Sequence, residues 1–446
     1  MLAFLVLAAL LPHVEQLAPN VWAAGFADKY GSANCGWVRR GNDTLLIDLP
    51  RGVPVADFLK EVQRIAGKPV GEVIALTQGK DDATILDALK ASGVRITPAP
   101  ASRTHWLAAQ RILFAGPDVV NGPRAPLKGV DTAAWVSRLE VLGKLAPRMV
   151  VPGRGSWGDA SLLARQERYL QELRRQVAFG ITMGRPVDWI EKNVLLPASY
   201  YTWMPYDNPN AEDIRSVYAE LTATPKFESP RPRALVLIGD RYHEPEHIER
   251  GLRPAFQTAK IAPHFTVDVN QLSAANLAQV DLLVILRDGM LWPGGPDKPY
   301  KIWMTPEQER AVVDFVQSGH SFLNLHNSMG LYPENGPYLN LVGGRYIGHG
   351  PLERFHVEVV DTSHPITRGV TGWDAADEQH TPPYDEKVHL LLRNRSDEGK
   401  TAAAGWCYEP GQGRLAHLAS GHTRESLEHP MFQRLLVNSM RWLLRQ

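Results

Sequence analysis

Near-continuous apolar runs recur through the second half of the chain and alternate with helical patterns. Such runs are typical of strands buried in a parallel sheet that helices cover on both faces. A helix is predicted from Pro306 to about Gln317, because Thr305 can cap it and acidic residues follow in its first turn. A final helix is predicted over 428–444. The predicted strands are residues 233–238, 281–286, 321–325 and 415–419.

The first half also mixes strands and helices, which indicates a second α/β domain. Its strand-like runs are shorter and are separated by turns such as Gly41-Asn42-Asp43. The predicted strands are residues 20–25, 36–40, 44–48, 71–77, 111–115 and 148–152, and the predicted helices are 55–66, 82–92, 160–179 and 211–221.

Three prolines between residues 222 and 232 predict an extended linker between the two halves. The predicted domains are therefore residues 13–222 and 232–446, with a Pro-rich linker at 223–231. Residues 1–12 are apolar but shorter than the roughly 20 residues that span a bilayer. Their length suits a signal-peptide core, although no Lys or Arg precedes them. With a signal peptide the protein is secreted or periplasmic, and otherwise it is cytoplasmic.

Composition narrows the possible functions. Forty-eight basic and 48 acidic residues give a formal net charge of zero, which argues against nucleic-acid binding. Two cysteines exclude a disulfide scaffold or a Cys-rich zinc module. No later segment is long and apolar enough to predict a membrane helix. Fifteen histidines leave a site of histidines and carboxylates open.

The first half, residues 13–222, contains several landmarks in a fixed order and spacing: Gly31-Ser32-Ala33-Asn34, the strand that ends at Asp48, the segment 67–70 and the segment 151–155. In this order and spacing it resembles a metallo-β-lactamase-fold domain. The resemblance implies an αβ/βα sandwich with a zinc site at the loops.

The zinc ligands of that family are almost all replaced in this sequence. The family's Thr-His-x-His-x-Asp-His corresponds to residues 77–83, where only Asp82 fits. The family's bridging aspartate falls at Pro117, with Asp118 one position late. The histidine positions are taken by Gln78, Lys80, Ala83 and, in the family's Pro-Gly-His-Gly, Arg154. The resemblance therefore implies a domain that binds no zinc and is catalytically dead, although Lys80 and Arg154 could bind an anion there.

The second half, residues 232–446, contains several motifs in register: Tyr242-His243, Gly319 to Asn327, Gly343 to His349, His364 to Val370, Asp377-Glu378 and Gly421-His422-Thr423. With these motifs it resembles the ThuA-like (trehalose utilisation) family. The resemblance implies a flavodoxin-like parallel sheet related to class I glutamine amidotransferases. It also implies a role in disaccharide catabolism, with action on oxidised (keto) sugars.

Three histidines follow strands or strand-like runs of this half. Parallel strands bring their carboxyl ends to one sheet edge, so His243, His326 and His422 can converge there with Glu378 from a loop. Imidazoles beside a carboxylate suit proton transfer at neutral pH. His326, His422 and Glu378 would equally suit a divalent metal.

Other residues of this half are candidates for substrate contact or for structure. Asp377, His349 and Tyr384 are predicted to bind substrate, and His364 is expected to order a turn before Pro365. Trp292 and Trp303 could stack on sugar rings or fill the core. The turn that carries the cysteine nucleophile in glutamine amidotransferases carries His326 here, and Cys407 lies far along the chain. Glutamine hydrolysis is therefore not expected.

The leading function is a carbohydrate-active enzyme that works through the His/carboxylate site on a small sugar. A hydrolase, a lyase and an isomerase all fit such a site. The alternative is a non-catalytic carbohydrate-binding or interaction protein built from two degenerate enzyme folds. The sequence leaves the sugar, the bond, the need for a metal and the oligomeric state open.

Overall fold

A computed structural model describes residues 13–25, 33–77, 79, 82–100, 102–122, 127–196 and 211–446. The predicted signal-peptide core, Gln78 and Lys80 lie outside these residues. The described residues within Met1–Arg174 and Val194–Val217 form one compact unit, and Arg175–Asn193 with Tyr218–Gln446 form the other. The second unit thus includes residues 175–193, which the sequence placed in the first domain. Residues 223–231 carry no helix or strand.

Two sheets form the first unit. A six-stranded sheet keeps chain order, with its first four strands antiparallel and its last three parallel. Its strands are β1 (His13–Ala18), β2 (Val21–Gly25), β3 (Cys35–Arg39), β4 (Thr44–Ile47), β5 (Val70–Ala75) and β6 (Arg95–Pro98). A second sheet contains β7 (His105–Leu107), β8 (Ile112–Val120) and β9 (Met149–Arg154). The helices up to the second unit's first strand are α1 (Val55–Ala66), α2 (Ala83–Ala91), α3 (Thr132–Gly143), α4 (Ser161–Thr182), α5 (Val187–Asn193) and α6 (Ala211–Leu221).

Helix α1 illustrates how the apolar pattern builds this unit. Its buried residues Val55, Phe58, Val62 and Ala66 recur every three or four positions and so share one face. That face packs on Trp37 and other core side chains of the six-stranded sheet. The predicted bounds of α1 and α6 are confirmed.

A nine-stranded sheet forms the centre of the second unit. Its strand order is β11-β10-β12-β15-β20-β19-β18-β16-β17, and the first five are parallel. The parallel strands are β10 (Arg233–Ile238), β11 (Ala262–Thr266), β12 (Leu282–Leu286), β15 (Ser321–Leu325) and β20 (Arg414–Leu418). A separate two-stranded sheet, β13 (Met290–Leu291) paired with β14 (Lys301–Ile302), lies between β12 and β15 in the chain. The predicted parallel strands are confirmed.

Helices cover this sheet on both faces, as the sequence predicted. Helices α7 (Pro245–Ala259) and α12 (Pro430–Leu443) pack against each other, and α9 (Pro306–Gln317) packs with the core on the other face. The expected cap of α9 is present: Thr305 and Gln308 exchange side-chain to backbone hydrogen bonds. The shorter helices are α8 (Ala274–Leu277), α10 (Pro337–Val342), α11 (Arg424–Glu428) and the 3-10 turns Val269–Gln271 and Pro365–Thr367.

The sheet is longer than the purely parallel sheet that the sequence predicted. Four antiparallel strands extend it: β16 (His349–Val359), β17 (Trp373–His380), β18 (His389–Ser396) and β19 (Thr401–Tyr408). β16, β17 and β18 carry many polar residues because one face of each is not covered, so they lack the apolar runs that mark the central strands.

Candidate metal centre

The four predicted catalytic residues meet at the carboxyl edge of the parallel strands. His243, His326 and His422 lie in the segments that follow β10, β15 and β20. Glu378 lies on strand β17, whereas the sequence analysis expected it in a loop. The Thr423 hydroxyl donates to the Ala376 carbonyl at 2.6 Å and so ties β17 to the segment that carries His422. We call His243, His326, Glu378 and His422 the four-residue cluster.

The nitrogen and oxygen atoms of this cluster are close enough to share one ion. One ligand atom from each residue lies within 4.8 Å of the other three. His243 Nε2 is 3.1 Å from His326 Nε2 and 3.0 Å from His422 Nδ1. The two oxygens of Glu378 lie 3.4 Å from His422 Nδ1 and 3.6 Å from His326 Nε2. Among the described residues, no other group of three or more such side chains could hold a metal.

The hydrogen-bond partners of two imidazoles fix where their protons sit. His243 Nδ1 lies 2.8 Å from Asp240 Oδ1, and His326 Nδ1 lies 2.8 Å from the Ala419 carbonyl. A carboxylate and a carbonyl can only accept, so both Nδ1 atoms carry the hydrogen. Burial lowers the pKa of His243, although Asp240 opposes this, and the ring is therefore neutral. His243 therefore presents an unprotonated Nε2 to the cluster, 3.1 Å from His326 Nε2.

This arrangement fits a divalent cation of the first transition row. Zinc binds histidine nitrogen at about 2.0–2.1 Å, and a tetrahedral angle then separates two ligand atoms by about 3.3 Å. The closest contacts within the cluster, from 3.0 to 3.6 Å, lie near that separation, and all four ligand atoms lie within 4.8 Å of one another. The acceptors on the Nδ1 side are the usual outer partners of metal-bound histidine. His243, His326, His422 and Glu378 could therefore hold such an ion.

Asp240, which the sequence analysis missed, organises the buried side of the cluster. Its oxygens accept hydrogen bonds from the backbone of Tyr242 and His243, the His243 ring, the Asp288 backbone and the Asn327 amide. Burial works against its charge, but His243 and these bonds lower the pKa of Asp240 well below its usual range. Burial and the neighbouring Asp240 raise the pKa of Asp288 to about 8. One carboxylate therefore carries the charge and the other the proton.

His380 is a second residue that the sequence analysis missed. It lies two positions after Glu378 on β17, so both side chains project from the same face. Its ring stacks on His326 at 4.2 Å between centroids, and its Nε2 is 3.4 Å from Glu378 Oε2. Burial and His326 lower the pKa of His380 to about 3. Burial opposes the charge of Glu378, yet bonds from His326, His380 and His422 lower the pKa of that carboxyl far below its usual range.

The three predicted substrate-binding residues have different surroundings. Asp377 is fully buried, and its oxygens accept from the backbone N–H groups of Gly421 and His422 at 2.9 and 3.1 Å. It therefore holds the segment that carries His422 and does not face a cleft. His349 lies at the edge of the cluster, with Nε2 3.7 Å from Glu378 Oε2. The third residue, Tyr384, stacks its ring against that of Trp406.

The backbone around His326 is strained. Its φ angle of +49° lies in the left-handed region, which a residue with a side chain rarely adopts. A Cβ atom at Gly421 would lie 2.9 Å from the Cβ of His326, so the two segments can approach only with glycine at 421. These two features aim the imidazole at the cluster.

The cluster opens onto a cleft of about 460 Å³. His243 and His422 line it together with Asp240, Arg241, Tyr242, Thr423 and Arg424, among others. The cysteines do not contribute a nucleophile: burial raises the pKa of Cys407 to about 12 and that of Cys35 higher still. Burial therefore disfavours the thiolate form of both cysteines at neutral pH.

In the first unit, Arg51 neutralises the carboxylate of Asp82, the one residue that fits the zinc-ligand motif of the resemblance. Its guanidinium donates to both oxygens of Asp82 at 2.9 Å and lies 3.4 Å from Asp48 Oδ1. Asp118 is paired in the same way with Arg103 and Arg138. We call Asp48, Arg51 and Asp82 the arginine-filled pocket. The sequence analysis named Asp82, Ala83, Arg154, Pro117 and Asp118 there but missed Arg51.

Comparison with known proteins assigns the second half of the chain. Residues 233–443 match the family model described as ThuA, trehalose utilisation. This half is therefore ThuA-like, as its motifs predicted. No curated protein matches the chain.

Similar solved structures fall into two groups. A putative ThuA-like protein of Bacteroides uniformis is 17% identical, with 50% of this chain and 94% of that chain covered and a TM-score of 0.39. One from Parabacteroides merdae is 16% identical, with 48% and 90% covered and a TM-score of 0.39. A metallo-β-lactamase of Erythrobacter litoralis, in a mono-zinc form, is 16% identical, with 36% and 97% covered and a TM-score of 0.31. Within the described residues, every helix is too short or too polar to traverse a bilayer.

Proposed function

We propose that the ThuA-like half is a metal-dependent carbohydrate-active enzyme, a hydrolase, lyase or isomerase of disaccharides or oxidised (keto) sugars. The observation that carries this proposal is the convergence of His243, His326, Glu378 and His422, whose ligand atoms all lie within 4.8 Å of one another. Three imidazole nitrogens and one carboxylate oxygen form a common ligand set for a divalent ion of the first transition row. The ThuA family match supports a sugar as the substrate class.

The four residues divide into an anchoring pair and a reacting pair. The His243 and His326 side chains are 4% and 0% exposed, whereas those of Glu378 and His422 are 15% and 26% exposed. His243 and His326 would hold the ion from the buried side. A divalent ion would supply Lewis-acid polarisation of a carbonyl or hydroxyl oxygen of the sugar.

Proton transfer falls to the reacting pair. Glu378 is ionised throughout the physiological range, so it can accept a proton from a sugar hydroxyl or from a carbon beside a carbonyl. The hydrogen bond to Glu378 raises the pKa of His422, which favours the protonated imidazole. His422 lines the cleft where the sugar would bind, so it could donate a proton to the substrate.

Metal content and turnover of the full chain test the proposal. We expect about one divalent ion per chain, and turnover of at least one member of a panel of ordinary and keto-oxidised disaccharides that a chelator abolishes and the metal restores. His243→Ala should lose the ion and the turnover together. A folded wild-type protein that binds no divalent ion, or whose turnover survives complete metal removal, would contradict the proposal. Sugar binding without turnover would favour the carbohydrate-binding alternative.

A further inference from the structure

Tyr242 stands at the mouth of the cleft, next in sequence to a buried member of the four-residue cluster. His243 points into the cluster, whereas Tyr242 is 52% exposed and lines the cleft. An exposed tyrosine beside a polar site offers an apolar face with a polar tip, which is the surface that amphipathic ligands use.

A backbone hydrogen bond and a cation–π contact hold Tyr242 in place. The Tyr242 backbone N–H donates to Asp240 Oδ1 at 2.8 Å, so the carboxylate that orients His243 also fixes Tyr242. The Arg241 guanidinium lies 5.4 Å from the Tyr242 ring centre and 4.5 Å from the Trp292 ring centre. Arg241 thus bridges two aromatic rings through cation–π contacts.

Trp292 gives this bridge a firm base. Its ring packs against Tyr300 at 5.6 Å, and its backbone N–H donates to the Met183 carbonyl at 2.9 Å. Trp292, Arg241 and Tyr242 therefore form a short ladder that ends in the cleft. Such support lowers the entropy that Tyr242 would lose when a ligand binds.

A second aromatic ring flanks the cluster. The Tyr346 ring lies 5.1 Å from that of His380, which itself contacts Glu378. Glu378 and Tyr242 both help to raise the pKa of Tyr346, after the larger effect of its burial, so this tyrosine lies within electrostatic reach of both. The four-residue cluster thus has aromatic rings beside its polar atoms.

We propose that Tyr242, supported by Arg241 and Trp292, is a stacking platform for a pyranose ring of the substrate. The inference rests on the proposed function for its substrate class. A pyranose has an apolar face of C–H groups and an edge of hydroxyls. Stacking on Tyr242 would leave that edge towards His422 and Glu378, which places the reacting hydroxyl or carbonyl at the cluster. Tyr242 is then a specificity-determining residue and takes no part in the proton transfer.

Substitutions at Tyr242 in the full chain test the platform. The probes are trehalose and keto-oxidised trehalose, with KM and kcat measured for turnover and Kd measured by calorimetry on chelator-treated protein. Tyr242→Ala should raise both KM and Kd about tenfold with kcat within about twofold, because a lost aromatic contact weakens binding by about that factor. Tyr242→Phe and Tyr242→Trp should keep near wild-type values, since the ring and not the hydroxyl forms the platform. Val360→Ala, at an exposed apolar residue outside the cleft, should change nothing.

Several outcomes would overturn the platform. They are unchanged binding in Tyr242→Ala, an equal loss in Tyr242→Phe, a change confined to kcat, and no binding of either sugar to the wild-type protein. The same measurements separate a failure of the platform from a failure of the proposed enzyme activity. Tyr242-dependent binding without turnover would keep the platform and reject catalysis, whereas metal-dependent turnover that ignores Tyr242 would do the reverse.

Discussion

The arginine-filled pocket and the four-residue cluster both place carboxylates near strand ends, but they neutralise the charge differently. In the pocket, the chain supplies its own cation, because Arg51 donates to both oxygens of Asp82. In the cluster, Glu378 lies beside the imidazoles of His326 and His422, which carry no permanent charge. A site is open to a metal only where the protein has not already placed a positive side chain. That difference is why the first site is expected to be structural and the second functional.

The largest expected effect is on turnover. His326→Ala should lower kcat about 10²–10⁴-fold, because it removes one of the two buried residues that would hold the ion beside the reacting pair. Arg154→Ala, in the segment 151–155 of the first unit, should leave kcat unchanged. Steady-state kinetics on the best sugar of the panel provide the measurement. The reverse result would move the active site to the first unit.

The next effect is on the stability of the first unit. Arg51→Ala should lower its free energy of unfolding by about 3 kcal/mol, since it leaves the mostly buried carboxylates of Asp48 and Asp82 without their partner. Chemical denaturation of the full chain would measure this. Arg64→Ala removes an exposed ion pair with Glu61 and should have no measurable effect. Equal behaviour of the two variants would mean that Arg51 is not needed to neutralise Asp48 and Asp82.

A smaller effect is expected on metal affinity. Asp240→Asn removes the charge that holds the Nδ1 hydrogen of His243 and should weaken metal binding about 10–100-fold, as is usual for an outer-sphere carboxylate. A competition titration with a chelator gives the affinity. The matched control is Asp374→Asn, which alters an exposed pair with His356 at 2.7 Å. If both variants bind metal alike, the orientation of His243 by Asp240 is unimportant.

We also expect a change in the pH dependence of stability. The pKa of Asp288 rises from 3.8 to about 8 on folding. Below about pH 4 both folded and unfolded forms are protonated. As the pH rises towards 8 only the unfolded form ionises, so wild-type stability falls. Asp288→Asn keeps the acceptor for the Met290 N–H and should escape this loss. Unfolding midpoints at pH 4, 6, 8 and 9 would show it, and parallel curves would contradict the assignment.

The apolar strands and the cluster histidines were accessible from sequence because each depends on local pattern. β10, β12, β15 and β20 are apolar runs, and parallel pairing alone brings their carboxyl ends together. His243, His326 and His422 follow three of these strands. The Asp377-Glu378 motif indicated that Glu378 lies near the histidines, but it did not indicate that Glu378 is on strand β17.

Other parts of the site depend on long-range contacts that a single sequence does not encode locally. Arg51 meets Asp82 across 31 positions, and His380 meets His326 across the fold. Asp240 looks like one charge in a polar loop, and only the converging N–H groups reveal its role. The strands β16–β18 were not predicted because polar residues on an uncovered face break the apolar pattern.

The membership of residues 175–193 in the second unit has a practical consequence for genetic dissection. The fully buried Arg287 donates to the Thr182 carbonyl at 3.3 Å, and Gly184 lies against Leu291. A fragment cut at residue 218 or 232 would leave a donor of that buried guanidinium without its acceptor and uncover Leu291. Such a truncation should aggregate or express poorly, whereas supplying 175–193 from a second fragment should rescue it. The boundary visible in the sequence is therefore not a usable cloning boundary.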